Sequence, residues 1–307
     1  MKIVRDLKVE KNPHPVVLSI GNFDGMHLGH KAVLAKAKRI AKEKHHPLAV
    51  ITFSNHPSEV LRPSEKTPLI CTPEHKIKLL QEEGVDLLIL LTFTKEFSEQ
   101  SPEAFLNKVY SSLPFSDLVL GHDATLGKNR EGDKERVMAC ATQLNATVHY
   151  IDPLNIEGNV VSSSKIRKAI QAGDFESVAK FLGRKYSTYA PIIKGRGVGS
   201  PLGYPTANIS VEGLCLPPQG VYAVKLIYDG KAFAGVANLG VAPTVRRDSA
   251  PMLEVHLYND KLDLYGKMVE VQFYSFLRAE QRFPDLDALK QQISQDVAKA
   301  KQLFLKG

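Results

Sequence analysis

The chain has 307 residues, 43% of them hydrophobic and 24% charged, with no low-complexity tract. That length suits two domains rather than one core, and the composition excludes disordered and fibrous classes. The formal net charge of +7 permits a nucleic-acid partner but equally suits anionic small molecules.

Met1–Lys11 is charged and lacks an apolar stretch, so it does not read as a signal peptide. Val16–Gly21, VVLSIG, is a short apolar run of buried-strand type. A helix over His30–Lys44 follows. Its Lys36, Lys38, Arg39, Lys42 and Lys44 alternate with Val33, Ala37 and Ile40 at helical spacing, which describes a solvated basic face. No aromatic residue interleaves those charges, as a base-stacking surface requires. Leu48–Phe53 is the second strand. Thr72-Pro73-Glu74 opens the next helix, with Thr as cap and Pro in the first turn, and Gly84 ends it. Val85–Phe93 is the third strand, and its Leu87–Leu91, the longest apolar run, is far too short to cross a bilayer. Ser101-Pro102-Glu103 opens another helix, and Asp117–Gly121 is a fourth strand. A helix over about Glu131–Leu144 and a fifth strand, Thr147–Ile151, complete this half. Short apolar strands separated by helices predict a parallel sheet covered on both faces, with ligands at the carboxyl ends of the strands.

After about Lys185 the rhythm changes. Glycine and proline become dense from Gly195 to Gly220, and strand-like pieces follow at Gly220–Tyr228, Lys231–Gly240, Met252–Tyr258 and Lys267–Leu277. Asp229-Gly230 is a hairpin signal. This half predicts an antiparallel, mostly β domain, a small barrel. It closes with a helix from about Asp285, on which Leu286, Leu289, Ile293, Val297, Ala300 and Phe304 form one apolar face. The boundary is expected near Gly183–Tyr189. Cys71, Cys140 and Cys215 are odd in number and far apart, with no CxxC, so they indicate neither a zinc knuckle nor a disulfide scaffold. They read as buried or inert thiols of a cytoplasmic protein.

Ser19–His30, SIGNFDGMHLGH, follows the first strand. Gly21 ends the strand, Gly25 allows a turn that a Cβ would block, and Gly29 lets backbone come close to a ligand. His27 and His30, three residues apart, share one face of an opening helix turn. Free N–H groups and the positive dipole end suit phosphate there, and histidine adds a donor for charge developing on a phosphoryl group. A glycine-rich turn with two incidental histidines is the plain alternative. It suits a bare HxxH better than it suits a strand, GxFDG and HxGH in that order. Further on, Val161–Arg167 reads VSSSKIR. Ser162, Ser163 and Ser164 cap a helix and offer hydroxyls to an anion, Lys165 and Arg167 add positive charge, and Arg167 is able to hold phosphate bidentately; standing alone, the motif suits a Ser-capped helix with a solvated Lys and Arg better.

GNFDGMHLGH resembles the nucleotidyltransferase signature of the bacterial bifunctional riboflavin kinase/FAD synthetase family, and VSSSKIR resembles that family's ISSTxIR. The resemblance implies that the phosphate of FMN attacks the α-phosphate of ATP, giving FAD and pyrophosphate. No covalent intermediate is needed; the work is positioning and charge stabilisation. It implies catalytic roles for His27, His30 and Arg167. Gly21, Asn22, Phe23, Asp24, Gly25, Gly29, Ser163 and Ser164 are then expected around the ATP phosphates. Thr52–Pro57, TFSNHP, is similar to the family's TFxPHP, and Gly121–Asp133, GHDATLGKNREGD, to GxDFxFGxxxxGD. Asn55, His56, Pro57, Asp123, Ala124 and Leu126 are therefore expected against the flavin. Ala124 and Leu126 stand where the family usually has phenylalanines, which removes aromatic packing area. The same segment is no phosphate P-loop, because five residues separate Gly121 from Gly127 and Asn129 replaces Ser/Thr.

In the second half, GRGVGSPLGYPTANI spans Gly195–Ile209. Pro201 and Pro205 fall where a dinucleotide fold needs a helix, so Gly195, Gly197 and Gly199 are no Rossmann fingerprint. Such a loop still cradles phosphates through backbone N–H groups. Thr206 and Asn208 are hard oxygen donors suited to Mg²⁺. GYPTAN resembles the riboflavin kinase signature, and GVYAV, GVANLGVAPTV and LEVHLYNDKLDLYGK continue the resemblance in order through Lys267. Glu254 matches the family's catalytic glutamate, which accepts the proton of the riboflavin 5′-hydroxyl as it attacks the γ-phosphate of ATP. Leu253, Val255 and Leu257 alternate inward, so the plain alternative puts Glu254 and His256 on a solvent-facing side. Ser200 replaces a common arginine, and Arg196 is the nearest substitute.

The expected architecture is an α/β nucleotidyltransferase domain with a Rossmann-like parallel sheet, residues 1–185. An antiparallel β-barrel riboflavin kinase domain with a terminal helix follows, residues 186–307. The expected partners are riboflavin, FMN and ATP with Mg²⁺, and neither nucleic acid nor membrane; a monomer is one option for the oligomeric state. An enzyme with one of the two activities, or a flavin- or nucleotide-binding regulator without turnover, stays open as an alternative.

Overall fold

The computed structural model describes residues 1–7, 14–195, 203–241, 250–258, 262 and 264–305. The chain divides into two units: Met1–Leu69 with Lys76–Ser163, and Ile70–His75 with Ser164–Gly307.

In the first unit β1 (Lys2–Val4), β2 (Val16–Ile20), β3 (Leu48–Phe53), β4 (Leu87–Leu91), β5 (Phe115–Gly121) and β6 (Thr147–Ile151) form one sheet, ordered β1-β4-β3-β2-β5-β6. Every pairing in it is parallel. It has one strand beyond the five read from the sequence. Lys2–Val4 is short and largely exposed, so no apolar run announced it; its pairing with β4 at the edge makes it a strand.

The connecting helices are α1 (Leu28–Lys44), α2 (Ser58–Leu61), α3 (Pro73–Glu82), α4 (Lys95–Ser98), α5 (Pro102–Ser112) and α6 (Lys134–Gln143). Side chains alternate along β2, so both faces of the sheet need cover. Val16, Leu18 and Ile20 pack with Phe105, Leu106 and Val109 of α5 and with Val137 and Ala141 of α6. Val17 packs on the other face with Val33, Leu34, Ala37 and Ile40 of α1 and with Leu79 and Leu80 of α3. The chain runs outward from β2 to β3 and β4, then returns to the far side of β2 as β5. The crevice at the carboxyl ends of β2 and β5 is thus the switch point of this sheet, where ligands of such folds bind. The loops after Ile20 and after Gly121 leave from it. A small hairpin, β7 (Asn155–Ile156) with β8 (Asn159–Val160), precedes α7 (Ser163–Gln171).

In the second unit α8 (Phe175–Leu182) leads into β9 (Ser187–Ile193), β10 (Ala207–Ser210), β11 (Gly220–Tyr228), β12 (Lys231–Val241), β13 (Pro251–Leu257) and β14 (Met268–Arg278). These strands close a barrel in the order β10-β13-β12-β11-β14-β9, antiparallel throughout. The Asp229-Gly230 turn has φ of 49° and 71°, the left-handed pair that a two-residue hairpin demands. Helix α8 was not legible as a separate element; its Phe175 ring lies 5.8 Å from those of Tyr222 and Phe273. The terminal helix α9 (Leu286–Leu305) lays Val297, Ala300 and Phe304 against Val221, Ala223 and Val236 of the barrel. Leu286 departs from the expected apolar face: as the first residue of the helix it is 61% exposed. Cys71, Cys140 and Cys215 are buried free thiols. Among the described residues, no helix is long and apolar enough to cross a membrane.

Candidate active sites

The loop after β2 carries three left-handed residues within four positions: Phe23, Gly25 and Met26 have φ of 49°, 77° and 42°. Bulky side chains rarely take this conformation, and here Phe23 and Met26 are buried. His27 is the N-cap of α1, and its Nδ1 accepts the His30 N–H at 3.2 Å. In the neutral ring Nε2 therefore carries the proton and is a donor. The His27 and His30 rings stack at 3.6 Å and 14°, and Phe23 meets His30 edge-on at 5.2 Å. A Cβ on Gly29 would sit 3.1 Å from the His27 ring, so glycine there makes room for the imidazole. The expected shared face of His27 and His30 is present. Among the described residues, His30 Nδ1 and Asn22 Oδ1 are buried without a hydrogen-bond partner. Asp24 is also buried. Ser163 Oγ donates to the Asp24 carbonyl at 3.3 Å, which ties this serine to the loop. Ser164 and Arg167 belong to the second unit, where the Arg167 carbonyl accepts from Cys215 Sγ at 3.6 Å.

Burial, and then the charges of His27 and Lys76, hold the His30 imidazole well below its ordinary value of 6.5. Below that value the unfolded chain binds a proton that the folded site refuses, so stability falls as pH drops. His30→Gln removes this contribution. The urea midpoint of the parent chain should therefore fall more than that of His30→Gln between about pH 8 and about pH 5.5.

Lys76 was missed by the sequence reading. Its Nζ donates to the carbonyls of Asn22 at 2.9 Å and Phe53 at 2.7 Å, beneath the histidine loop. Nothing in a single lysine of an amphipathic helix announces this.

The segments expected against the flavin divide. Asn55 is engaged with the Phe93 backbone, donating Nδ2–H to its carbonyl at 3.0 Å and accepting its N–H at 2.8 Å. His56 pairs with Ser58 Oγ at 2.8 Å, and Pro57 is the N-cap residue of α2. Leu126 is in the core that includes Phe105 and Val137, with Ala124 packed against it, while Asp123 is exposed. Leu126 exchanges backbone hydrogen bonds with Gly132, and Asp133 caps α6 by accepting the Arg136 N–H at 2.9 Å. Partly buried Phe93 and Phe97 also pack against this core and meet Phe53 at 5.3 Å. Their aromatic surface was not singled out from the sequence.

On the barrel, Asn208, Glu254 and Asn238 stand side by side on β10, β13 and β12. Leu253 and Val255 point into the barrel, so Glu254 and His256 face outward, as the plain alternative required. That outer face is nevertheless one wall of a cavity of about 610 Å³. Thr206, Asn238, Glu254 and His256 line it with Arg278, Glu280, Phe283 and Leu289. His256 Nδ1 holds the Pro205 carbonyl at 2.9 Å and so fixes the chain that carries Thr206. Arg278 binds Asp296 through Nε at 2.9 Å and Nη2 at 2.8 Å, which clamps α9 as the opposite wall. Asn238 Nδ2 donates to Glu280 at 2.9 Å.

Gly195 was expected to cradle phosphate; the Asn208 amide occupies the space its Cβ would need. A Cβ at Gly195 would therefore displace the Asn208 side chain. Gly197 and Gly199, with Arg196 and Ser200, lie outside the described residues.

Residues 9–165 match the FAD synthetase family and residues 182–304 the riboflavin kinase family. A bifunctional riboflavin kinase/FMN adenylyltransferase of Listeria monocytogenes is 36% identical over 94% of this chain and 93% of that protein. The chain belongs to the bifunctional riboflavin kinase/FMN adenylyltransferase family. A member from Bacillus subtilis is also 36% identical, over 94% of this chain and 92% of its own. One from Escherichia coli K12 is 30% identical over 99% and 98%. A solved structure described as a macrolide-efflux protein from Streptococcus pneumoniae superposes with a TM-score of 0.81 at 26% identity, covering 96% of each chain. Its description does not transfer to this member of the riboflavin kinase/FMN adenylyltransferase family. Within that family the FAD synthetase match contains the stacked histidines, and the riboflavin kinase match contains Glu254 and its cavity.

Proposed function

We infer that this chain makes FMN from riboflavin and then FAD from FMN, using one ATP in each step. The observation that carries the reading is the presence of two separate constellations, each inside its own family match: stacked His27 and His30 at a switch point, and Glu254 on a cavity wall.

In the kinase step, Glu254 accepts the proton of the riboflavin 5′-hydroxyl as the oxygen attacks the γ-phosphate of ATP and ADP leaves. A volume of about 610 Å³ suits a ligand of flavin size. Thr206 and Asn208 supply oxygens of the kind Mg²⁺ prefers, beside a carboxylate on the neighbouring strand. Bound there with ATP, Mg²⁺ would neutralise phosphate charge. Gly195, by leaving room for the Asn208 amide, keeps that donor in place.

In the second step, an oxygen of the FMN phosphate attacks the α-phosphorus of ATP and pyrophosphate leaves. His27 Nε2–H, His30 and the free N–H groups of the α1 terminus donate to phosphoryl oxygens as charge builds. Gly21, Asn22, Phe23, Asp24 and Gly25 form the loop that receives the phosphates, and Ser163 braces it. The VSSSKIR motif, rather than geometry, assigns Ser164 and Arg167 to phosphate. Phe93 and Phe97 supply aromatic surface that Ala124 and Leu126 do not, and the motifs TFSNHP and GHDATLGKNREGD, rather than geometry, assign Asn55, His56, Pro57 and Asp123 to the flavin. The boundary between the two activities is placed near residue 185, and the buried free thiols suit a reducing, cytoplasmic compartment.

Incubation with riboflavin, ATP and Mg²⁺, with products resolved by chromatography over time, tests the reading. FMN should appear before FAD. FMN alone would leave only the kinase, and no product would leave a binding protein.

A further inference from the structure

Lys76 is only 2% exposed, among the largest side chains the fold buries. Lysine is almost never buried without dedicated partners, because its ammonium must be kept hydrogen-bonded. Two of the partners are carbonyls at the carboxyl ends of neighbouring strands: Asn22, two residues past β2, at 2.9 Å, and Phe53, the last residue of β3, at 2.7 Å. Thr52 Oγ1 donates to the same Asn22 carbonyl at 3.0 Å. In a trans peptide the carbonyl and the following N–H point in opposite directions. Two donors drawing the Asn22 oxygen inward therefore turn the Phe23 N–H outward. Among the described residues, Phe23 N–H donates to no backbone carbonyl. The left-handed backbone of Phe23 and Met26 follows at once, a conformation that persists only where its surroundings enforce it.

We propose that Lys76 is a positioning residue for adenylyl transfer: with Thr52 it pins the Asn22 carbonyl, so that the Phe23 N–H faces the nucleotide phosphates and the His27–His30 pair keeps its place. This deepens the reading of the 21–30 loop as the adenylyltransferase site and rests on it. Lys76 touches no reacting atom. Its charge is felt by His30 all the same, after burial and the charge of His27.

Two substitutions test this in the full-length chain, with kcat and the KM for ATP measured separately for FAD formation from supplied FMN. Lys76→Met should lower kcat about 10²-fold, with the KM for ATP changing far less, since a misplaced phosphate contact is felt most in the transition state. Thr52→Val removes the second donor at nearly the same shape and should lower the same kcat about tenfold. FMN formation from riboflavin should stay at the parent rate in both. A merely structural lysine would lower the unfolding midpoint and leave kcat per folded molecule intact. An unchanged kcat in folded Lys76→Met overturns the proposal. Should Lys76→Met not fold, an unchanged kcat in Thr52→Val overturns it. A parent chain that makes FMN but no FAD would instead remove the reading of the site, and the proposal with it.

Discussion

Glu254→Gln should stop FMN formation from riboflavin while FAD formation from supplied FMN continues at the parent rate. The carboxylate stands between Asn208 and Asn238 on the wall of the barrel cavity. Glutamine keeps the size and the hydrogen-bonding reach of glutamate but accepts no proton from the attacking hydroxyl. A positioned general base is worth about 10²–10⁴ in rate, and the loss should appear in kcat rather than in riboflavin binding. Both rates are read from the same chromatographic separation, so the FAD rate doubles as evidence that the chain is folded. Loss of both activities in a folded Glu254→Gln would mean that the two steps share chemistry.

His30→Ala should give the opposite pattern. Its ring is stacked on His27 and bordered by Phe23, and its buried Nδ1 has no hydrogen-bond partner among the described residues. A polar atom left unpaired in a buried site is costly, and an incoming phosphate oxygen relieves that cost. Burial and neighbouring charge disfavour the protonated ring in the free protein. A triphosphate would favour protonation, so the donor strengthens as negative charge arrives. Removing one such donor costs about 10²–10³ in kcat. FAD formation from supplied FMN should fall by that factor, with FMN formation from riboflavin untouched.

Local sequence carried much of this. The strand, glycine turn and histidine pair lie within Val16–His30, so their placement follows from local backbone rules, and α1 begins where the capping chemistry puts it. The barrel was legible because Asp229-Gly230 and the alternating runs around it fix a hairpin register. What escaped depends on contacts distant in the chain. Lys76 finds the Asn22 carbonyl across 54 positions. Asn55 binds Phe93 across 38. The flavin-side motif around Ala124 was readable as a motif, but its Leu126 is drawn into the core by Phe105 and Val137, which only the packed sheet brings together. For Glu254, alternation along β13 correctly gave the outward direction. It did not reveal that α9, clamped by Arg278 and Asp296, turns that outward face into a cavity.

The central claim is that two independent sites on one chain each perform one ATP-dependent step. Mixing Glu254→Gln with His30→Ala tests it most directly, in riboflavin, ATP and Mg²⁺. Neither variant alone should convert riboflavin to FAD. The mixture should, after a lag in which FMN made by His30→Ala accumulates and is then adenylylated by Glu254→Gln. A mixture that forms no FAD, under conditions where the parent chain does, would contradict the account.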